Sequence, residues 1–193
     1  LAWLADPPAR RGSGVLAVCL RTPQTARWRP AMLGPPASPS LAAISALAMA
    51  IDATAAATGL TTRFVDLDPV ADHPLHLRVA DRMATRAEIR SPNLEGLLAE
   101  FADVDVAVTM RYHGAVAGAL AGAPVVSLPF SPKLAALAED LGPAMVAADS
   151  PDDLPQSVTT ALNSSDHLAE TVEGLIDLAG GNATTLDELL GAV

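Results

Sequence analysis

Short apolar runs alternate along the chain with longer segments whose apolar residues recur at helical spacing. The apolar runs, bounded by glycine, proline or aspartate, predict strands at 15–20, 62–67, 105–110 and 125–128, and shorter extended pieces at 88–90 and 144–147. The segments between them predict helices at 40–58, 72–84, 93–102, 114–122 and 131–141. Because strand and helix alternate, we expect an α/β fold, a doubly wound, mostly parallel Rossmann-like sheet with helices on both faces.

The same pattern predicts how the chain is organised. An entry segment, a Rossmann-like domain and terminal helices that pack on that domain are expected at 1–14, 15–150 and 151–193, respectively. Gly180-Gly181-Asn182 is expected to break the terminal helices, and the proline-rich stretch from Thr22 to Pro39 to form a long loop. Since the chain starts at Leu1 rather than at methionine, we expect a further domain to precede it.

Composition narrows the classes of function. The net charge of −10 argues against nucleic acid or anionic lipid as a general partner. The single cysteine, Cys19, lies in an apolar strand, cannot form an internal disulfide, and is expected to pack as a small hydrophobe. No run reaches the roughly 20 strongly apolar residues of a membrane span, and no signal peptide is evident. We therefore expect no transmembrane segment and a location in the cytoplasm, including the inner face of the membrane.

The candidate ligand-binding residues are concentrated just after the strand at 105–110. This strand delivers Arg111 and His113 to the carboxyl edge of the sheet, where open α/β folds bind ligands. Small residues from Gly114 onwards let the next helix lie close to the sheet, and a second helix start follows at 131–133. Because each helix start offers free backbone N–H groups, we expect an anionic ligand.

This order of hydrophobic strand, Arg-x-His turn, Ala/Gly-rich helix, Pro-led strand and Pro-Lys helix start resembles the C-terminal half of the polysaccharide pyruvyltransferase family. The resemblance extends over about residues 14–142 and is carried by Arg21, Arg111-Tyr112-His113 and Pro132-Lys133. Members of the family resemble two-domain GT-B glycosyltransferases in fold and transfer pyruvate from phosphoenolpyruvate to a sugar as a ketal. The chain departs from the family pattern at Tyr112, where an aliphatic residue is usual, and at Ser131, where aspartate is common.

The resemblance implies a phosphoenolpyruvate donor, no separate cofactor and no metal. The implied donor-binding residues are Arg21, Arg111, Tyr112, Gly114 and Lys133. The two arginines would hold the carboxylate and the phosphate of the donor, and His113 would be the catalytic residue, as general acid to the enol methylene or as the donor that stabilises departing phosphate. The acceptor would be a sugar or a lipid-linked saccharide of cell-envelope or exopolysaccharide biosynthesis, entering from the preceding domain.

Three of these residues also have an ordinary structural interpretation. Arg111 could pair with Asp103, Asp140 or another carboxylate merely to stabilise the surface. His113 could be a hydrogen-bonding residue at the helix start, and Lys133 could be a solvated surface charge.

Two groups upstream carry weaker signals. His73 and His76 have a spacing that can bind metal, but no cysteine or nearby third ligand completes a site. Asp66 and Asp68 follow a strand, a pattern typical of a solvated strand-to-loop turn. Neither G-x-G-x-x-G nor G-x-x-x-x-G-K-[ST] occurs, which argues against dinucleotide and P-loop chemistry.

Two other functions fit the same residues. One is a nucleotide-sugar glycosyltransferase of the GT-B type, whose C-terminal domain binds the nucleotide diphosphate at the same sheet edge. The other is a non-catalytic α/β module. A preference for UDP or GDP over phosphoenolpyruvate would favour the first, and an absence of anion binding would favour the second.

Overall fold

The computed structural model describes residues 13–22, 39–93, 95–128, 132–165 and 168–177. Within these residues one wholly parallel sheet contains β1 Val15–Cys19, β2 Thr61–Val65, β3 Ala87–Arg90, β4 Val104–Thr109, β5 Val125–Ser127 and β6 Met145–Ala147. Their order across the sheet is β3-β2-β1-β4-β5-β6. The predicted Rossmann-like α/β fold is thus confirmed, and the strand order reverses between β1 and β4, the point at which such sheets bind ligands.

Helices cover both faces of the sheet. They are α1 Leu41–Thr58, α2 Pro69–Ala80, α3 Tyr112–Leu120, α4 Pro132–Leu141 and α5 Leu154–Asn163, followed by a helical segment at 168–177. Short 3₁₀ helices lie at Ala99–Phe101, Gly142–Ala144 and Pro151–Asp153. α1 begins as predicted after Ser40, whose side chain accepts a hydrogen bond from the Ala43 N–H, and it ends at Gly59, which has a left-handed φ of 72°.

One predicted helix has different bounds in the structure and another is wrong. α2 begins at Pro69 rather than at residue 72, because Asp68 caps the helix through the Ala71 N–H and proline suits the first helical position. The segment predicted as a helix at 93–102 contains turns and only the 3₁₀ helix Ala99–Phe101. There the Asn93 side chain accepts a hydrogen bond from the Gly96 N–H at 2.8 Å, a local turn that competes with a helix.

Part of the predicted organisation lies outside the described residues. This applies to residues 1–12, to most of the predicted loop at 22–39 and to the predicted break at 180–182. The described part of the C-terminal region already contains two helical segments, α5 and 168–177, and α5 ends at Asn163, with Ser164 as its C-cap.

Side chains on the two faces of the sheet build separate clusters. Leu16, Val18 and Phe64 are fully buried beneath α1, α2 and α5. Ala17 and Cys19 face the opposite side, toward α3. Cys19 is buried as predicted, and burial raises the pKa of its thiol to about 12, so it packs as a neutral group.

The small residues of α3 let it lie close to the sheet. A Cβ atom on Gly118 would come within 2.8 Å of the Ala107 Cβ, and one on Gly114 would come within 2.7 Å of the Thr109 Oγ1. Both distances are too short for real carbon contacts. The absence of a side chain at these two glycines therefore lets α3 lie this close to β4.

Among the described helices, α1 alone is long and apolar enough to span a membrane by length and composition, with 18 residues and a mean hydropathy of 1.6. Core helices of globular domains pass the same test. In this fold Ile44, Ala48 and Ile51 on α1 are fully buried against the sheet. Packing thus accounts for the apolar residues on this face of α1, whereas Leu41 and Met49 are 63% and 71% exposed.

Candidate functional site

The turn between β4 and α3 is held by Thr109. Its Oγ1 accepts a hydrogen bond from the Arg111 N–H at 2.8 Å and donates one to the Arg111 carbonyl at 2.9 Å. α3 starts at the next residue, and the Arg111 side chain does not cap it. The N–H groups of the first turn, from Tyr112 to Gly114, therefore have no acceptor within the helix and are available to a ligand.

Arg111 is paired with Asp72 of α2. The Arg111 Nη1 lies 3.3 Å from the Asp72 Oδ1, and the two side chains are only 11% and 1% exposed. Neither atom makes a hydrogen bond, so the contact is an ion pair without hydrogen-bond geometry. Burial raises the pKa of Asp72, while the charge of Arg111 opposes that rise. Asp72 thus holds the guanidinium at the sheet edge.

The sequence allowed Asp103, Asp140 or another carboxylate as the partner of Arg111, and the structure shows the third case, Asp72. Asp103 instead accepts two hydrogen bonds from Arg63, at 2.6 and 2.9 Å. Asp72 was not named from the sequence, and it lies on the buried face of α2. The Oδ2 of Asp72 also accepts hydrogen bonds from the Leu67 and Asp68 N–H groups.

His113 is the second residue of α3 and is exposed. Its ring packs edge-on against Tyr112, with ring centroids 5.7 Å apart, and makes no hydrogen bond to a described residue. It lines a cavity of about 200 Å³ together with Asp66 and Leu97, and a second, more apolar cavity of about 500 Å³ alongside α3. Tyr112 is 40% exposed. His113 is therefore free to meet a ligand.

The other two cations predicted for the site differ in position. Cys19 is the register partner of Thr109, so Arg21 and Arg111 each lie two residues beyond the same pair, on the two strands that flank the switch point. Arg21 is half-buried. Lys133 is the second residue of α4 and is exposed, and no contact joins it to Arg111 or His113.

A buried carboxylate that was expected to be solvated lies at the end of β2. Asp66 is fully buried, and its Oδ1 lies 2.5 Å from the Nδ1 of His76. Its Oδ2 lies 2.6 Å from the Nδ1 of His73 and accepts a hydrogen bond from Ser91. The expectation of a solvated turn is wrong here because α2 folds back over the strand end and covers it.

The tautomer of His76 follows from its two partners. The Leu20 N–H donates to the Nε2 of His76 at 2.9 Å, so the proton must reside on Nδ1, facing Asp66. Burial lowers the pKa of this imidazole, although Asp66 opposes the shift. His76 is therefore a neutral, structural histidine, and both of its nitrogens are already used.

We expect the free energy of unfolding to fall as the pH decreases below about 6.5, the ordinary pKa of histidine. The folded pKa of His76 is lowered, so the unfolded chain takes up a proton that the folded chain resists. The contribution of neutral His76 to the free energy of unfolding is fully present above pH 6.5. It is lost as the pH falls towards the lowered pKa that His76 has in the folded chain. Urea unfolding between pH 7.5 and 5 measures this loss. In His76→Leu the loss should be much smaller, and a flat profile for the unsubstituted chain would contradict the assignment.

Comparison with known proteins adds a family and a fold. Residues 60–132 match the family model described as polysaccharide pyruvyl transferase, a stretch that contains Arg111 and His113 but neither Arg21 nor Lys133. No curated protein sequence matches the chain. Solved structures with a similar fold include three whose descriptions name UDP or UDP-glucose as a bound molecule.

The first is a variant of TarM from S. aureus with Fondaparinux, alpha-GlcNAc-glycerol and UDP, with a TM-score of 0.59 and 10% identity over 89% of this chain and 34% of TarM. HepE from Anabaena with UDP-glucose has a TM-score of 0.55 and 13% identity over 100% of this chain and 50% of HepE. A UDP-glucose: anthocyanidin 3-O-glucosyltransferase with UDP has a TM-score of 0.58 and 16% identity over 100% of this chain and 43% of that protein.

At these identities the likeness concerns the fold alone, which is that of GT-B glycosyltransferases. The chain spans between 34% and 50% of the length of these three structures. The candidate site, at the end of β4 and the start of α3, lies within the stretch that matches the family. From β2 to the first residue of α4, this Rossmann-like chain thus matches the polysaccharide pyruvyl transferase family, which confirms over residues 60–132 the resemblance drawn from its sequence.

Proposed function

We propose that the protein containing this chain transfers pyruvate from phosphoenolpyruvate to two hydroxyl groups of a sugar or lipid-linked saccharide, as a ketal, in the synthesis of a cell-envelope polysaccharide or exopolysaccharide. One observation carries the proposal. Within the stretch that matches the family, a buried arginine, an exposed histidine and the free N–H groups of a helix start meet at the switch point of the sheet. The reaction would take place in the cytoplasm or at the inner face of the membrane.

The chemistry requires two anion-binding groups and two proton transfers. The methylene carbon of phosphoenolpyruvate gains a proton and becomes a methyl group, which leaves C2 electrophilic. One sugar hydroxyl adds to C2 and loses its proton, and a second hydroxyl then displaces phosphate and closes the ketal. Of the two hydroxyl protons, one balances the proton on the methyl group and the other leaves with phosphate.

The described residues fit these demands. Arg111, held by Asp72, would bind the carboxylate or the phosphate with its remaining donors, and Arg21 would bind the other group. The N–H groups of Tyr112, His113 and Gly114 would stabilise the charge on phosphate. His113 would protonate the methylene carbon, since its ring is exposed at the cavity. Lys133 would contribute only if the acceptor or the donor reaches α4.

Titration of phosphoenolpyruvate, inorganic phosphate, UDP and GDP into the ¹⁵N-labelled chain tests the donor site. We expect phosphoenolpyruvate to shift the amide signals of residues 111–115. Arg111→Lys should weaken this binding by about 10- to 100-fold, because lysine keeps a cation beside Asp72 but lacks the planar fork of donors. Arg82→Gln, in the exposed turn that follows α2, is the control and should bind as the unsubstituted chain does. No shift with phosphoenolpyruvate would contradict the proposal.

A nucleotide-sugar glycosyltransferase is the second candidate. It is favoured by the structures with UDP or UDP-glucose that share the fold. In that case UDP or GDP would shift the same signals selectively, and phosphoenolpyruvate would not.

A further inference from the structure

The Asp66–His73 pair joins a buried carboxylate to a histidine that reaches solvent. The side chain of Asp66 is fully buried, whereas that of His73 is 42% exposed. Their atoms Oδ2 and Nδ1 are 2.6 Å apart. A carboxylate accepts a hydrogen bond at this position, so the neutral ring carries its proton on Nδ1 and a lone pair on Nε2. The Nε2 makes no hydrogen bond to any residue that the structure describes.

Both carboxylate oxygens of Asp66 accept a hydrogen bond even without His73. His76 donates to the Oδ1 of Asp66, and Ser91 donates to its Oδ2. Of the two histidines, only His76 has both nitrogens engaged, since Leu20 occupies its Nε2. The same carboxylate thus holds one structural histidine and one whose outer nitrogen is available.

The position of His73 links it to the site already described. It follows Asp72 directly in the first turns of α2, and Asp72 contacts Arg111. Asp66, its hydrogen-bond partner, lines the same cavity of about 200 Å³ as His113. Since α2 and α3 cover opposite faces of the sheet, His73 and His113 flank the carboxyl edge from its two sides.

We propose that His73, oriented by Asp66, is the base that accepts a proton from the acceptor hydroxyl. This inference rests on the proposed function and completes its proton transfers. As the acceptor oxygen forms its bond to C2 of phosphoenolpyruvate, its O–H bond breaks and the proton goes to the Nε2 of His73. The electron pair of the enol double bond takes a proton from His113 at the methylene carbon. Both rings then return to their starting protonation by exchange with solvent.

Kinetics of the full-length protein test this role. Phosphate release from phosphoenolpyruvate is followed with a panel of acceptors that contains both p-nitrophenyl hexosides and lipid-linked saccharides. His73→Asn keeps an N–H donor toward Asp66 but has no basic nitrogen, so kcat should fall by about 10²- to 10⁴-fold. The KM for phosphoenolpyruvate should stay within about threefold, because His73 does not hold the donor. Glu139→Gln, exposed on α4, is the control and should keep the kcat of the unsubstituted protein.

Chemical rescue separates a base from a structural residue. In His73→Ala, added imidazole should restore turnover, and a series of substituted imidazoles should restore it in proportion to their basicity. A histidine that only supports Asp66 would give no such dependence on basicity.

The outcomes divide clearly. If the unsubstituted protein releases no phosphate with any acceptor of the panel, the proposed function and this inference both fail. If the unsubstituted protein turns over and His73→Asn does so equally well, only the role of His73 is overturned. If His73→Asn or His73→Ala loses turnover and no imidazole restores it, His73 is structural and the inference is also overturned. Loss in kcat with rescue that follows basicity establishes His73 as the base.

Discussion

Replacement of His113 by asparagine in the full-length protein should lower kcat for phosphate release from phosphoenolpyruvate by about 10²- to 10⁴-fold, the contribution of a positioned general acid. The imidazole is exposed and makes no hydrogen bond to a described residue, so the fold loses only its edge contact with the exposed Tyr112 ring. The free energy of unfolding should change by no more than about 0.5 kcal/mol, as for other surface substitutions. The substitution should therefore lower turnover and leave the stability of the fold nearly unchanged.

Phosphate release and urea unfolding of the same preparation measure the two quantities. The matched control is Asp140→Asn, an exposed substitution on α4, which should leave both unchanged. Binding of phosphoenolpyruvate to His113→Asn should persist, because the backbone N–H groups of the turn remain in place. Full turnover in His113→Asn would remove this residue from the mechanism.

Replacement of Asp72 by alanine should destabilise the fold by about 3–5 kcal/mol, the cost of removing one partner of a buried ion pair. The Arg111 guanidinium would be left in a site where its side chain is only 11% exposed. The N–H groups of Leu67 and Asp68 would lose their acceptor as well. The result should be a lower urea midpoint together with weaker binding of phosphoenolpyruvate.

A double substitution identifies the cause. Asp72→Ala combined with Arg111→Leu should cost less than the two single substitutions added together, since no unpaired charge remains. Arg90→Ala is the comparison for an exposed pair, because Arg90 and its partner Glu88 are 49% and 47% exposed, and it should cost under about 1 kcal/mol. A cost for Asp72→Ala as small as that for Arg90→Ala would show that the Arg111 contact contributes little.

The parts of the site that could be predicted from the sequence are those at strand ends. The apolar run before Arg111 marks β4 as an interior strand, and a parallel sheet brings its carboxyl end to the ligand edge. Position alone thus put Arg111 and His113 at the edge, and the family resemblance assigned their chemistry. The small residues of α3 likewise indicated close packing against the sheet.

The parts that could not be predicted concern the polar residues of α2. Asp72, Leu75, His76 and Val79 recur at helical spacing, share one face of the helix and are all buried in the structure. The sequence also placed the start of this helix at residue 72, whereas it begins at Pro69 after the Asp68 cap. The signal was present, since aspartate followed by proline is the pattern of a capping residue and a first helical position. The pairing of Asp66 with two histidines depends on tertiary packing and has no such signal.

The place of β1 has a consequence for how the site comes into being. β1 lies at the centre of the sheet, yet the Gly14 N–H just before it bonds to Asp105, 91 positions along the chain. The switch point therefore exists only once a long loop has closed, and such non-local pairing slows folding. A ligand held there binds the folded chain alone and stabilises it by about 2.7 kcal/mol at one hundred times its Kd. Melting temperature is thus a direct readout of occupancy, through which candidate donors and acceptors can be ranked before any turnover is known.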